Sequence, residues 1–332
     1  MKLSILDQVV VSRGRSVADA INETEQLAIY ADELGYSRYW IAEHHDLPGL
    51  ACPAPDVLLG IIGSQTTTIR IGAGAVLLPN YQPYLVAERY HLLATMYPGR
   101  IDLGLGRSPG GSAEASLALN TNMLQAIYSM PEKVEELLHF IRNDFPEGHS
   151  YRSLKAAPVP NDPPVPWILG TSIKSAKLAA KHGLPYAVGH FMNDESSKKA
   201  AEAYKKHFKP TKYNQEPTLI LAVSVVCAET NQLAEEIAGS AHIWSIERAK
   251  AEGLDGIPNQ DFANHYSLTP DEAEKRKELQ QRQVFGEPEN VKEQLLKLSK
   301  EYGSDECMVL TNVHSFEDRL KSYKLLADVI LD

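Results

Sequence analysis

The sequence predicts an α/β fold, a (β/α)8 TIM barrel with an insertion before the last strand. Three observations predict it. Eight short apolar runs are rich in β-branched residues, and a helical pattern follows nearly every one of them. The length of 332 residues fits a decorated barrel, which needs roughly 250 residues or more. A doubly wound sheet seldom reaches eight such repeats over this length, and no GxGxxG follows the first run. The expected organisation is a single domain over 1–332, with an insertion at about 251–286 suited to serve as a lid.

The elements follow in order. "LSIL" (Leu3 to Leu6) is the first strand. From Val17 to Leu34, the residues Val17, Ile21, Thr24, Leu27, Ala28, Ala31 and Leu34 share one helical face, and Gly35 stands where a helix C-terminus favours glycine. "YWIAE" (39–43) precedes a helix over Asp56 to Thr67, and "IRIGAGAVL" (69–77) precedes one over Pro83 to Met96, with proline in its first turn. "RIDLGLG" (100–106) leads to helices near Ser112–Asn120 and Pro131–Phe145, then to the proline-rich connector "APVPNDPPVP". "WILG" (167–170) and "PYAVG" (185–189) are followed by helices over Lys174–His182 and Glu195–Phe208. "TLILAVSVV" (218–226) is apolar without alternation, as a strand buried on both faces must be. A helix over Gln232–Ala249 leads into 251–286, which is polar and poorly periodic. Helix Glu289–Tyr302, strand "CMVLT" (307–311) and helix Glu317–Ile330 complete the chain.

Composition narrows the partners. The formal net charge is -10 and no Lys/Arg run stands out, so the electrostatic footprint of a nucleic-acid binder is missing. A small-molecule substrate is the expectation. The three cysteines lie far apart and outside any CxxC, as reduced thiols do in a cytoplasmic protein. The opening "MKLSILDQVVV" has no secretory pattern, and no apolar run approaches the ~20 residues of a membrane span. A cytoplasmic location without membrane association is expected.

In a barrel of this class the chemistry sits at the C-terminal ends of the strands. "YWIAEHHDLPG" puts Glu43, His44 and His45 at such an end. Neighbouring side chains on an extended segment point to opposite faces, so the two histidines cannot easily grip one ion, and no metal is expected. One imidazole facing the mouth is suited to acid/base work, with Glu43 to orient it or to pair with a cation; a histidine bonded to backbone at the edge of the core is the plainer alternative. Gly170-Thr171-Ser172 ends a strand and starts a helix. Unpaired N–H groups there meet the hydroxyls of Thr171, Ser172 and Ser175, which suits an anion, although a simple Ser/Thr N-cap explains one hydroxyl as well. Arg107 follows a glycine-spaced strand and offers a planar fork for an anion. Gly72 and Gly74 either let a flat ligand lie against the backbone or serve tight packing. GxxxxGK[ST] does not occur, which removes support for ATP chemistry.

The runs "LDQVVVSRG", "LGYSRYWIAEHH", "RIGAGAVLLPNYQPYLVAE", "PGRIDLGLGRSPGG", "LGTSIKSAKLAAKHGLPYAVGHF" and "VFGEPENVKEQL" are spread from Leu3 to Leu331. With them the chain resembles the bacterial luciferase-like flavin-dependent monooxygenases, in their single-subunit, non-luminescent branch. The resemblance implies a (β/α)8 barrel that binds FMN at the strand C-termini, takes it reduced from a separate flavin reductase, and forms a homodimer. It further implies that reduced flavin and molecular oxygen oxygenate a small organic substrate. By position it makes His44 the active-site histidine beside the flavin ring, and Gly74-Ala75 a non-proline cis peptide against that ring. Arg107 reaches the phosphate, Thr171, Ser172 and Ser175 form the phosphate turn, and Gly189 and His190 lie beside the ring. Two alternatives stay open: a deazaflavin-dependent oxidoreductase on the same scaffold, and a flavin-binding protein without catalysis. Nothing in the sequence specifies the substrate.

Overall fold

The computed structural model describes residues 1–250, 252–253 and 255–331. The strands are β1 (Lys2–Asp7), β2 (Arg38–Ile41), β3 (Arg70–Leu77), β4 (Ile101–Gly106), β5 (Val165–Gly170), β6 (Tyr186–Gly189), β7 (Leu219–Cys227), β8 (Val284–Gly286) and β9 (Glu306–Leu310). After β1 to β3 come α1 (Val17–Glu33), α2 (Pro55–Gln65) and α3 (Pro83–Met96). Between β4 and β5 lie α4 (Ala113–Leu119), α5 (Met123–Tyr128) and α6 (Met130–Arg142), and after β5 and β6 come α7 (Ile173–His182) and α8 (Asp194–His207). The chain then forms α9 (Asn231–Ala249), α10 (Gln260–His265), α11 (Pro270–Arg282), α12 (Pro288–Tyr302) and α13 (Phe316–Ile330).

Eight strands close a parallel barrel in the order β1-β2-β3-β4-β5-β6-β7-β9, with β9 pairing back onto β1. These are the eight runs expected from sequence. The outer core lies between strands and helices. A separate cluster fills the barrel interior, where Leu6, Trp40, Trp167, Ile220 and Met308 are buried and the two indoles meet edge to face at 5.3 Å. At the N-terminal end of the barrel, the first residues of several strands are charged and close on one another. Arg38 donates to Asp102 at 2.6 Å and to Glu306 at 2.9 Å, while Arg70 donates to Asp102 at 2.6 Å. Trp40 Nε1 completes the carboxylate's shell at 3.0 Å. Asp7 closes a second network, accepting from Arg319 of α13, Thr24 of α1 and Tyr39 of β2, which ties three layers together.

The segment 251–286, polar and poorly periodic in sequence, contains α10, α11 and β8 among its described residues; positions 251, 254 and the terminal 332 lie outside them. β8 runs parallel to the end of β7 with Val225 opposite Val284. It adds a ninth strand outside the closed barrel. Helix α9 packs on β7 as well as on α10, α11 and β8, and α12 packs on β7, β8, β9 and α13. Helix α11 buries no side chain, which explains its silent periodicity; its start is fixed by a capping box between Thr269 and Glu272. No described helix is long and apolar enough to cross a membrane.

Candidate functional site

Because every barrel pairing is parallel, all eight C-terminal strand ends open on one rim. The loops after β2 and β5, which carry His44 and Ser172, thus belong to the same mouth. Glu43 is the hub of one side of that rim. It is buried, and its carboxylate accepts from Leu77 N at 3.1 Å and the Tyr81 hydroxyl at 2.9 Å, and lies 2.7 Å from His45 Nε2. Burial pushes its pKa up, and these hydrogen bonds only partly offset the shift. The carboxylate thus holds the β3 end and the β2 loop together, and its imidazole partner is His45 rather than His44.

His44 stands differently. Its backbone N–H donates to Cys52 O at 2.9 Å, while ring atom Nδ1 is buried without a hydrogen-bond partner. Desolvation, and to a lesser extent the neighbouring Arg248 and His45, lowers its pKa to about 4. His44 therefore presents a neutral ring at neutral pH.

The Gly74-Ala75 peptide is cis. A Cβ on Gly74 would come within 2.7 Å of Leu6, and one on Gly72 within 2.6 Å of the Asp102 backbone oxygen. At both positions a larger residue would collide with its neighbours, so the packing requirement is present whether or not a flat ligand lies there. Arg107 is exposed and has no hydrogen-bond or ion-pair partner among the described residues. At α7 the Ser172 hydroxyl accepts from Ser175 N at 3.2 Å, and Ser175 Oγ lies 3.0 Å from the Tyr186 hydroxyl. Both serines are engaged in a capping box. The Thr171 hydroxyl and the first-turn N–H groups of Ile173 and Lys174 have no protein partner among the described residues. Gly189 ends β6, and the following His190 is buried with Nδ1 3.1 Å from the Tyr302 hydroxyl. That hydroxyl donates to Asp194 O, so Nδ1 of His190 carries the proton and Nε2 is the acceptor.

Two groups, Tyr81 and Arg248, escaped the sequence reading, whereas Asn312 stands at a strand end, where that reading placed the working positions. Tyr81 meets Glu43 from beyond a 3-10 turn, 38 positions along the chain. Asn312, after β9, donates to Gln8 Oε1 at 2.8 Å and leaves its own Oδ1 buried and unpartnered. Arg248 is half-buried near the C-terminus of α9 and acts electrostatically on His44. A Trp-x3-Arg spacing, which stacks on a helix, was the available signal for the last.

A closed parallel barrel with glycines, an unpaired arginine and a neutral histidine on its C-terminal rim defines the class: an α/β-barrel protein whose mouth is equipped for a polar small molecule. Residues 1–306 match the family model described as luciferase-like monooxygenase, and the chain belongs to that family. It is 37% identical to the N-acetyl-S-alkylcysteine monooxygenase of Bacillus subtilis (strain 168) over 100% of this chain and 98% of the relative. The crystal structure of apo-MsnO8 superposes with a TM-score of 0.89 at 33% identity, covering 99% of this chain and 97% of the other. Two more distant structures share the fold. One is the FMN complex of the oxygenating constituent of 3,6-diketocamphane monooxygenase from Pseudomonas putida, with TM-score 0.72, 19% identity and coverage of 99% and 97%. The other is an F420-dependent secondary alcohol dehydrogenase, with TM-score 0.61, 14% identity and coverage of 99% and 98%.

Proposed function

We propose that the protein is an FMN-dependent monooxygenase that uses reduced flavin, supplied by a separate reductase, to oxygenate a small organic substrate. The observation that carries this reading is His44: an uncharged imidazole whose Nδ1 is buried and unpartnered on the rim of a luciferase-like barrel. A buried polar atom without a partner is costly, and a ligand that supplies one removes the cost.

The donor set fits a flavin phosphate. Arg107, the Thr171 hydroxyl and the first turn of α7 supply a cation, a hydroxyl and free N–H groups for a dianion, with Ser172 and Ser175 holding that turn in shape. The ring would then lie between the cis Gly74-Ala75 link and the Gly189-His190 end of β6. Bound reduced FMN supplies the electrons for oxygen activation. The remaining work belongs to the chain. His44, neutral at working pH, donates a hydrogen bond to developing negative charge without bringing a full positive charge into a desolvated site. Glu43 keeps the His44-His45 loop in register with β3 through its three partners. The segment 251–286 serves as a lid that excludes water; the absence of any buried side chain on α11 favours movement.

The exposed apolar side chains Val57, Ile61, Leu85, Leu92 and Met96 on α2 and α3 support a homodimer built on those helices. Three buried cysteines without disulfides agree with a cytoplasmic location. The test is an absorbance titration with FMN followed by oxygen uptake with reduced FMN. Flavin binding with substrate-linked oxygen consumption is expected. Hydride transfer from reduced F420 without oxygen uptake would turn the assignment toward the deazaflavin class, and flavin binding without turnover would leave a carrier.

A further inference from the structure

Two cations close to Arg248 in the fold or the sequence have carboxylate partners. Arg13 pairs with Glu247 at 2.9 Å and with Asp255 at 2.9 Å, and Lys250 pairs with Glu252 and Glu272 at 3.0 Å each. Arg248, between Glu247 and Lys250 in sequence, has no carboxylate or hydrogen-bond partner among the described residues. Its guanidinium stacks 4.7 Å from the centre of the Trp244 ring, one helical turn back. The indole is itself fixed. Its Nε1 donates to Gly253 O at 3.0 Å, its apolar edge packs with Val10, Leu50 and Ile257, and a Cβ on Gly49 would meet it at 2.6 Å. These contacts bring the C-terminal end of α9 over the loops after β1 and β2, so Arg248 lies within electrostatic reach of His44. Burial lowers its pKa, as expected of a cation without a counter-ion.

A half-buried guanidinium held in one orientation and left unpaired is a receptor for a planar oxyanion. We propose that Arg248 anchors an oxyanion of the organic substrate, a carboxylate or sulfonate, beside His44. This rests on the rim being the catalytic mouth proposed above. The same chemistry could come from the flavin phosphate. That group already has Arg107 and the α7 turn, on strands β4 and β5, whereas Arg248 lies over the β1 and β2 loops.

The test uses the full-length protein, with and without FMN, and isothermal titration with hexanoate, hexanesulfonate and uncharged hexanamide. Wild type is expected to prefer the two anions over the amide, and Arg248→Met to reduce that preference about ten- to a hundredfold. Arg248→Lys, which keeps the charge without the planar fork, should retain part of it, and circular dichroism confirms that both variants are folded. No anion preference in wild type, or an undiminished preference in Arg248→Met, overturns the assignment. In a parallel arm, FMN and riboflavin are titrated into wild type and Arg248→Met. Loss of the preference for FMN over riboflavin in the variant gives Arg248 to the flavin phosphate, which also overturns the assignment. Oxygen uptake with reduced FMN is measured separately. An Arg248-dependent anion preference in a protein that never consumes oxygen would sink the monooxygenase reading and leave this assignment standing.

Discussion

The two ends of this barrel treat arginine differently. At the N-terminal end, Arg38 and Arg70 converge on Asp102, and Arg38 reaches Glu306 as well, so each guanidinium has a carboxylate at 2.6 to 2.9 Å. At the C-terminal rim Arg319 pairs with Asp7 and Arg13 with Glu247, but Arg107 and Arg248 have no carboxylate among the described residues, and His44 keeps a buried nitrogen without a partner. One end is electrostatically closed and contributes to holding the strands in register. The other is left partly open, at a cost in stability, for groups that arrive from outside. Unmet hydrogen-bonding and charge thus separate a functional face from a structural one within a single fold.

The largest effect should come from opening the closed end. Asp102→Ala takes the carboxylate from Arg70, one of two from Arg38 and the acceptor from the Trp40 N–H, and is expected to cost about 3–5 kcal/mol, measured by urea unfolding. Acid gives the next effect. His44 and His242 have folded pKa values of about 4, below the ~6.5 of an unfolded histidine. Above pH 6.5 both states are neutral and stability does not respond. As pH falls from 6.5 towards 4 the unfolded chain takes up protons that the folded one refuses, so stability should drop, by roughly 3 kcal/mol for each imidazole, and then level off. His44→Ala should remove its share of that slope and reduce turnover on the order of a hundredfold or more, with FMN affinity retained; full activity in the variant would strip His44 of its role. Arg107→Ala should weaken FMN about tenfold in a fluorescence titration while riboflavin binds as before. The smallest change expected is Tyr81→Phe, about 1 kcal/mol in thermal unfolding, because Glu43 keeps two of its donors.

The closed barrel was legible because its strands state themselves. "TLILAVSVV" has no polar face, and Gly35, Gly183 and Gly303 stand after helices where the chain turns left-handed. The rim was legible by rule, since a parallel barrel makes each strand end a site position whatever the residue. Other features were hidden by how they are held. Helix α11 rests on caps and surface pairs such as Lys275–Glu278, so no apolar period marks it. That Glu43 serves His45 and Tyr81 is a matter of rotamers and of a turn 38 residues away. The glycines of β3 fitted two physical accounts in one dimension, and the proximity of Leu6 and Asp102 adds the packing that one of them requires. Arg248 looked like any surface arginine on a long helix, because a missing counter-ion is a property of space.

Strand β8 returns the chain to where it left. With Cys227 opposite Gly286, the departure and re-entry points of the α9–α11 excursion lie on adjacent strands, while β7 closes the barrel onto β9 through separate hydrogen bonds. The hydrogen bonds that close the barrel therefore do not run through the residues threaded between those two points. What ties that stretch to the cylinder is side-chain packing, in which Ala234, Ile237 and Ala238 of α9 meet Val226 of β7, so Arg248 is carried by a helix seated on the barrel wall.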